Sequence, residues 1–261
     1  IGEILDGLRD GAKYALAVGA AAATVGIIVG VVTLTGVGFK ISYIVTSTAG
    51  QLATYFGTIL PAAWFGPQTL TLLFTLIMTG IVCILMGCGI PTTANYIIMA
   101  TIAAPALGLL GVEPIVAHFF VFYYGVLADI TPPVALAAYA AAGMAGADPF
   151  KTGNTAFRLG LGKVLVPFVF VFSPSLLLVT SNFNWPDFFV AFLGCAIGIT
   201  AIGAALSGFF LVRTKIWENI LMIVAAILLV VPEIYSSLMG LALLVPVVVR
   251  HLLSVRSPQP A

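Results

Sequence analysis

Gly87-Cys-Gly-Ile-Pro-Thr-Thr93 and Asp129-Ile-Thr-Pro-Pro133 interrupt two otherwise apolar helical runs, 68–110 and 114–145. Backbone groups left unpaired in hydrocarbon cost on the order of several kcal/mol each. Such breaks therefore persist only where they are buried in protein or line a wet cavity. Gly87 and Gly89 permit dihedrals that other residues resist. Pro91 removes a donor and suits the first turn of a new helix, beside which Thr92 and Thr93 add hydroxyls. The result is a tip with free carbonyls, free amides and two hydroxyl oxygens. A hard cation such as sodium takes an oxygen-rich shell of this kind, and a carboxylate takes the amide end with its partial positive charge. In the second break, Pro132 and Pro133 cannot continue the preceding helix, and Thr131 must leave α geometry before Pro132. Asp129 is the only charged residue between Pro114 and Gly146. An acid at membrane depth is a functional candidate by default, the alternative being a cap on helix 134–145 or an interfacial residue. Two discontinuous segments in one chain mark the binding site of a secondary transporter.

The rest of the chain places these breaks in lipid. Of 261 residues, 61% are hydrophobic and 7% charged, with a mean hydropathy of +1.19. A soluble domain carries roughly 25% charge. No Asp, Glu, Lys or Arg occurs over 41–112, and 14–39, 164–186, 188–212 and 234–249 are also uncharged. A helix needs about 20 apolar residues to span the hydrocarbon. The expected fold is all-α and polytopic. The net charge of +1 and the lack of a basic stripe exclude an electrostatic nucleic-acid binder. Cys83, Cys88 and Cys195 sit in apolar runs without metal-ligand spacing and read as small buried hydrophobes. The chain opens on Ile1 without a signal-peptide pattern and reads as a fragment or a trimmed chain.

Segment 1–10 is amphipathic and reads as an interfacial helix leading into a first span over 12–34, which Gly36-Val-Gly-Phe39 ends. Segment 40–66 is mixed in polarity and predicts an interfacial or short buried helix closed by Pro61 and Gly66-Pro67. Apolar helices are expected over 68–86 and 92–110, then over 114–128 and 134–145. Asp148-Pro149 caps an amphipathic helix over 150–162. Further spans are expected over 164–180, 188–212, 216–231 and 236–249, and the tail 257–261 is disordered by composition. Arg158, Lys163, Arg213, Lys215, Arg250 and Arg256 fall on one side of these spans, which makes that side cytoplasmic. Charge counting leaves open whether 68–110 is two full spans or a re-entrant hairpin from outside.

Other polar residues carry less. His118 has no acid or second His at ligand spacing and reads as packed or interfacial. Asn95, one turn from Pro91, hydrogen-bonds the tip or packs between helices. Tyr123-Tyr124 reads as packing or an aromatic belt, and spacings such as Gly26…Gly30 fit close helix packing.

Three stretches carry a family resemblance: Gly87-Cys-Gly-Ile-Pro-Thr-Thr-Ala94, Gly125-Val-Leu-Ala-Asp-Ile-Thr-Pro-Pro-Val-Ala-Leu-Ala-Ala-Tyr139 and Ala145-Gly-Ala-Asp-Pro-Phe-Lys-Thr-Gly153. Together they resemble the large permease subunit of TRAP (tripartite ATP-independent periplasmic) transporters, and most the form with fused small and large membrane subunits. The likeness covers 1–178, and 179–256 resembles the extra C-terminal transmembrane helices of such fusions. The resemblance implies one half of an inverted repeat, with 68–110 as a re-entrant hairpin entering from the periplasm and 114–145 as a broken helix. It implies sodium-coupled, elevator-type import of organic acids such as C4-dicarboxylates, handed over by a periplasmic binding protein, in the inner membrane of a bacterium or archaeon. It implies no cofactor beyond sodium as coupling ion. The candidate sodium and substrate site comprises Gly87, Gly89, Pro91, Thr92, Thr93, Asn95, Gly125, Asp129, Thr131, Pro132 and Pro133, of which Gly87, Gly89, Thr92, Thr93, Gly125, Thr131 and Pro132 are what the resemblance implies. Gly87, Thr92, Thr93, Gly125 and Thr131 are its sodium candidates. Cys88 stands where members often carry Met, and Asn95 where many have a small residue. The first hairpin, the first Pro-Pro turn and the small subunit are not in this chain, so the N-terminal half and the small membrane subunit are expected as partners or as parts of the same protein. Two other readings compete. A membrane-embedded enzyme would need paired acids, a His cluster or a nucleophile with a base at membrane depth. A non-transporting scaffold subunit would tolerate polar substitutions in both breaks.

Overall fold

The computed structural model describes residues 2–58, 66–88, 90–181, 183–230 and 234–256. Among the described residues all regular structure is helical, apart from one isolated bridge between Phe209 and Arg213. The expected interfacial helix and first span form one helix, α1 (Gly2–Thr35). Gly11 alone is too weak a breaker, costing about 1 kcal/mol against Ala. Gly36, at φ 66°, does end it, because only glycine adopts that backbone readily. The chain turns there into α2 (Val37–Gly57), a 21-residue helix rather than a short one. Pro61 lies outside the described residues.

Pro67 opens α3 (Pro67–Gly87) at a position where its missing N–H costs nothing. The returning arm, expected as one helix over 92–110, is α4 (Thr92–Ile102) and α5 (Ala104–Gly108). The division follows from Pro105, which cannot donate to the Thr101 carbonyl. Helix α2 packs on that kink: Ser42 Oγ donates to Ile102 O at 2.8 Å, and a Cβ on Gly38 would lie 2.8 Å from Thr101 O.

Helix α6 (Pro114–Leu127) runs parallel to α3, with Gly80 against the Tyr124 ring and Gly87 against Ala128. It ends in a 3-10 turn, Ala128–Ile130, and the chain resumes as α7 (Leu136–Ala145). Asp148 Oδ1 accepts the Lys151 N–H at 2.7 Å and caps α8 (Pro149–Gly160). The amphipathic helix and the span after it, expected as separate, are joined through a 3-10 turn, Leu161–Val164, to α9 (Leu165–Phe172). Together they make one 24-residue segment, Pro149–Phe172. It stops at Ser173, short of the expected 180, because Pro174 drives Ser173 out of α geometry (ψ 75°). Lys163 consequently lies inside this segment, not at its end.

Three helices complete the chain: α10 (Trp185–Ser207), α11 (Ile216–Val230) and α12 (Ile234–Arg256). Among the described residues four helices are long and apolar enough to cross a membrane, or five if the pair bent by 69° between α1 and α2 counts as one span. Helix α11, expected as a span over 216–231, has 15 described residues, and 231–233 lie outside the described residues. The molecule is an all-α polytopic membrane protein. One core joins α3–α6 through Leu76, Ile98, Met99, Phe120 and Tyr124. A second joins α6, α9, α10 and the end of α11, and a third joins α10–α12. Arg158 Nη2 donates to Leu206 O at 2.8 Å and Arg250 Nη2 to Arg213 O at 3.0 Å, so these cations gather at one end. Phe183, Trp185 and Phe188 pack together at the opposite end of α10.

Candidate functional site

The hairpin tip leaves donors and acceptors open. Beyond α3, Cys88 is extended, and Ile90 N donates to Gly87 O at 3.3 Å. Pro91 is the exposed N-cap residue of α4, and no side chain caps that helix. The first amides of α4, including those of Thr92 and Thr93, thus form an uncapped positive end. Thr92 is half-buried and Thr93 exposed, and neither hydroxyl makes a hydrogen bond among the described residues. Gly89 lies outside the described residues.

The second break is a stitched turn. Thr131 is extended (φ −96°, ψ 120°), as its place before Pro132 requires. Its N–H donates to Ala128 O at 3.0 Å and its Oγ1 to Leu127 O at 2.8 Å, which closes the end of α6. Pro132 is half-buried and Pro133 exposed, and Tyr139 Oη donates back to Pro133 O at 2.8 Å. Asp129 sits half-buried in the 3-10 turn and makes no ion pair among the described residues. It does not cap the next helix, since Ala135 holds the N-cap position of α7 without a side-chain bond.

Asn95 joins the two breaks. It is 1% exposed, and Nδ2 lies 3.4 Å from Cys83 O in α3. A Cβ on Gly125 would stand 3.0 Å from that Nδ2. A Cβ on Gly87 would stand 2.6 Å from the Ala128 Cβ and closer still to Nδ2. The carboxamide therefore fills the space that a side chain at either glycine would need, wedged between hairpin tip and broken helix. Asn95 Oδ1 is buried without a hydrogen-bond partner among the described residues. A buried acceptor left so costs about 1–3 kcal/mol, which a cation or a donor would recover. Of the expected site residues, Gly87, Asn95 and Gly125 are in direct contact. Asp129 and Thr131 follow Ala128 in the turn that touches Gly87. No hydrogen bond joins Thr92 or Thr93 to Thr131 among the described residues.

His118 packs as expected, with Nδ1 3.0 Å from Tyr96 Oη. Tyr124 is structural: its Oη donates to Val164 O at 2.8 Å, tying α6 to the start of α9. Among the described residues no group of three or more His, Cys, Asp or Glu could hold a metal. A cation at the breaks would depend on carbonyl, amide and hydroxyl oxygens. Sequence reasoning passed over Glu218 and His251, each 0% exposed, in the C-terminal helices. The available signal was an acid within an apolar run with a matching Arg-His pair in the next one.

A polytopic helical protein whose hairpin tip meets a broken helix has the architecture of a secondary transporter permease. The family model described as "Tripartite ATP-independent periplasmic transporter, DctM component" matches residues 1–185, and the chain belongs to that family, the large permease component of TRAP transporters. The chain matches no curated protein and no solved structure. The family match covers α1–α9 and leaves α10–α12 beyond it.

Proposed function

We propose that this chain forms the C-terminal part of a sodium-coupled permease that imports organic acids by an elevator-type movement. Family membership makes it a transporter permease subunit, with a periplasmic binding protein and a small membrane subunit as the implied partners. The observation that carries the finer reading is the wedge of Asn95 between Gly87 and Gly125, with Oδ1 left unpartnered. Sodium would take oxygens from the end of α3, from Thr92 and Thr93 and from the turn at Thr131. The uncapped start of α4 supplies partial positive charge for a substrate carboxylate. The substrate class is a small carboxylate such as a C4-dicarboxylate, received from the binding protein. The cationic end carrying Arg158, Arg213 and Arg250 faces the cytoplasm of a bacterial or archaeal cell, and the hairpin enters from the periplasmic side. The N-terminal half of the permease would supply the other half of the site.

The test is uptake of labelled organic acid by the complete transporter in vesicles, with and without an inward sodium gradient. Uptake is expected to collapse without the gradient. Gradient-independent uptake would remove sodium from the mechanism. Full uptake with polar substitutions in both breaks would favour a scaffold role instead.

A further inference from the structure

The C-terminal helices enclose a groove and, at their cationic end, a buried polar cluster. Helices α10 and α12 both pack on α11: Gly194 and Gly198 lie against Leu229 and Ala226, and Gly240 lies against Leu229 and Ala225. A groove of about 320 Å³ remains between α10 and α12. Ala196 and Thr200 form one wall, Leu244 and Val248 the other, Met222 of α11 the floor, and Phe210 contributes from the loop after α10. The Thr200 hydroxyl is taken up by Ala196 O at 2.8 Å, so the walls present apolar surface.

Phe210 packs on His251, their ring centroids 5.6 Å apart, and from there a buried clasp fixes the loop backbone. His251 Nδ1 accepts from the Leu211 and Val212 N–H groups, each at 3.3 Å. Glu218 Oε2 accepts the Lys215 N–H at 2.6 Å. Arg250 Nη2 holds Arg213 O, while its Nε lies 2.7 Å from Glu218 Oε1, an ion pair by distance whose angle falls short of a hydrogen bond. Glu218 is thereby matched by Arg250. The Arg213 and Lys215 side chains are exposed and make no ion pair among the described residues. The clasp thus holds the loop that carries two exposed, uncompensated cations a few residues beyond Phe210, which lines the apolar groove. An acidic headgroup attached to an acyl chain has the complementary shape and charge, whereas the phosphate of a zwitterionic lipid is already screened by its own ammonium.

We propose that α10–α12 bind an anionic phospholipid, with an acyl chain in the groove and the phosphate at Arg213 and Lys215. The assembled transporter would be purified with phosphatidylglycerol or with phosphatidylcholine of the same chains, and retained lipid counted by native mass spectrometry. The wild type should retain the anionic lipid roughly tenfold better. Arg213→Gln with Lys215→Gln should lower retention to the zwitterionic level. Ala196→Phe, which fills the groove from an exposed position, should reduce retention of both lipids. Equal retention of the two lipids by the wild type, or an unchanged preference in the double variant, would overturn the proposal. The double variant alters only exposed side chains, so it decides the matter even if Ala196→Phe fails to fold.

Discussion

One methyl group at Gly87 is a sharp probe of how the breaks meet. In Gly87→Ala the new Cβ would collide with Asn95 Nδ2 and Ala128. Overpacking of this kind costs about 1–3 kcal/mol, read as a lower thermal midpoint in detergent. Asn95→Ala in the same chain should restore part of that loss, because it vacates the contested space; equal destabilisation with and without Asn95 would mean the wedge is misplaced. Gly87 was legible in the sequence as part of a break, since glycine and proline at membrane depth demand a reason, whereas Gly125 entered only through the family resemblance; the structure brings both against Asn95. What the sequence left open was the role of Asn95. Its position one turn from Pro91 fits both a tip bond and interhelical packing; in the structure its Nδ2 bonds Cys83 O within α3 and its carboxamide packs between Gly87 and Gly125.

At the scale of elements, the breaks were readable and several boundaries were not. Pro67, Pro114 and Pro149 marked helix starts because proline suits the first turn. The kink at Ala103 was missed because Pro105 was read as part of an apolar run, although it orphans the Thr101 carbonyl that Gly38 comes to cover. Helices α8 and α9 were separated on polarity, but backbone continuity through Leu161–Val164 does not depend on polarity. The joint between α6 and α9 gives a prediction. Tyr124→Phe removes the only side-chain donor to the Val164 carbonyl among the described residues. It should lower stability by about 1–1.5 kcal/mol, the upper part of the net range for a hydrogen bond, because this one is partly buried. Tyr139→Phe, whose bond to Pro133 O is more exposed, should cost about 0.5–1.5 kcal/mol. Thermal unfolding of the two variants side by side would check the order, and a larger loss in Tyr139→Phe would reverse the assignment.

Across the whole molecule, hydropathy and charge placement disclosed an all-α membrane protein, and cations from distant segments do meet at one end. The buried Glu218–Arg250–His251 clasp was passed over because Glu218 lies on α11 and its Arg-His partners on α12, more than thirty residues away in the chain. Glu218→Ala would leave Arg250 facing a vacated pocket. Breaking a buried pair costs about 3–5 kcal/mol, and the lower end is expected because the Arg250 side chain keeps 24% exposure. Hydrogen exchange at Leu211 and Val212 should accelerate in His251→Leu and remain slow in His251→Asn, whose amide oxygen replaces the lost acceptor.

In the proposed function, the hairpin tip and the unwound turn after α6 bind one sodium ion together. Sodium activation of uptake by the complete transporter should be measured for Thr92→Val, for Thr131→Val and for both combined. The account predicts that each single change raises the sodium requirement and that the double change adds little to the larger of the two, because both oxygens serve the same ion. Unchanged sodium-dependent uptake in the double variant would contradict it.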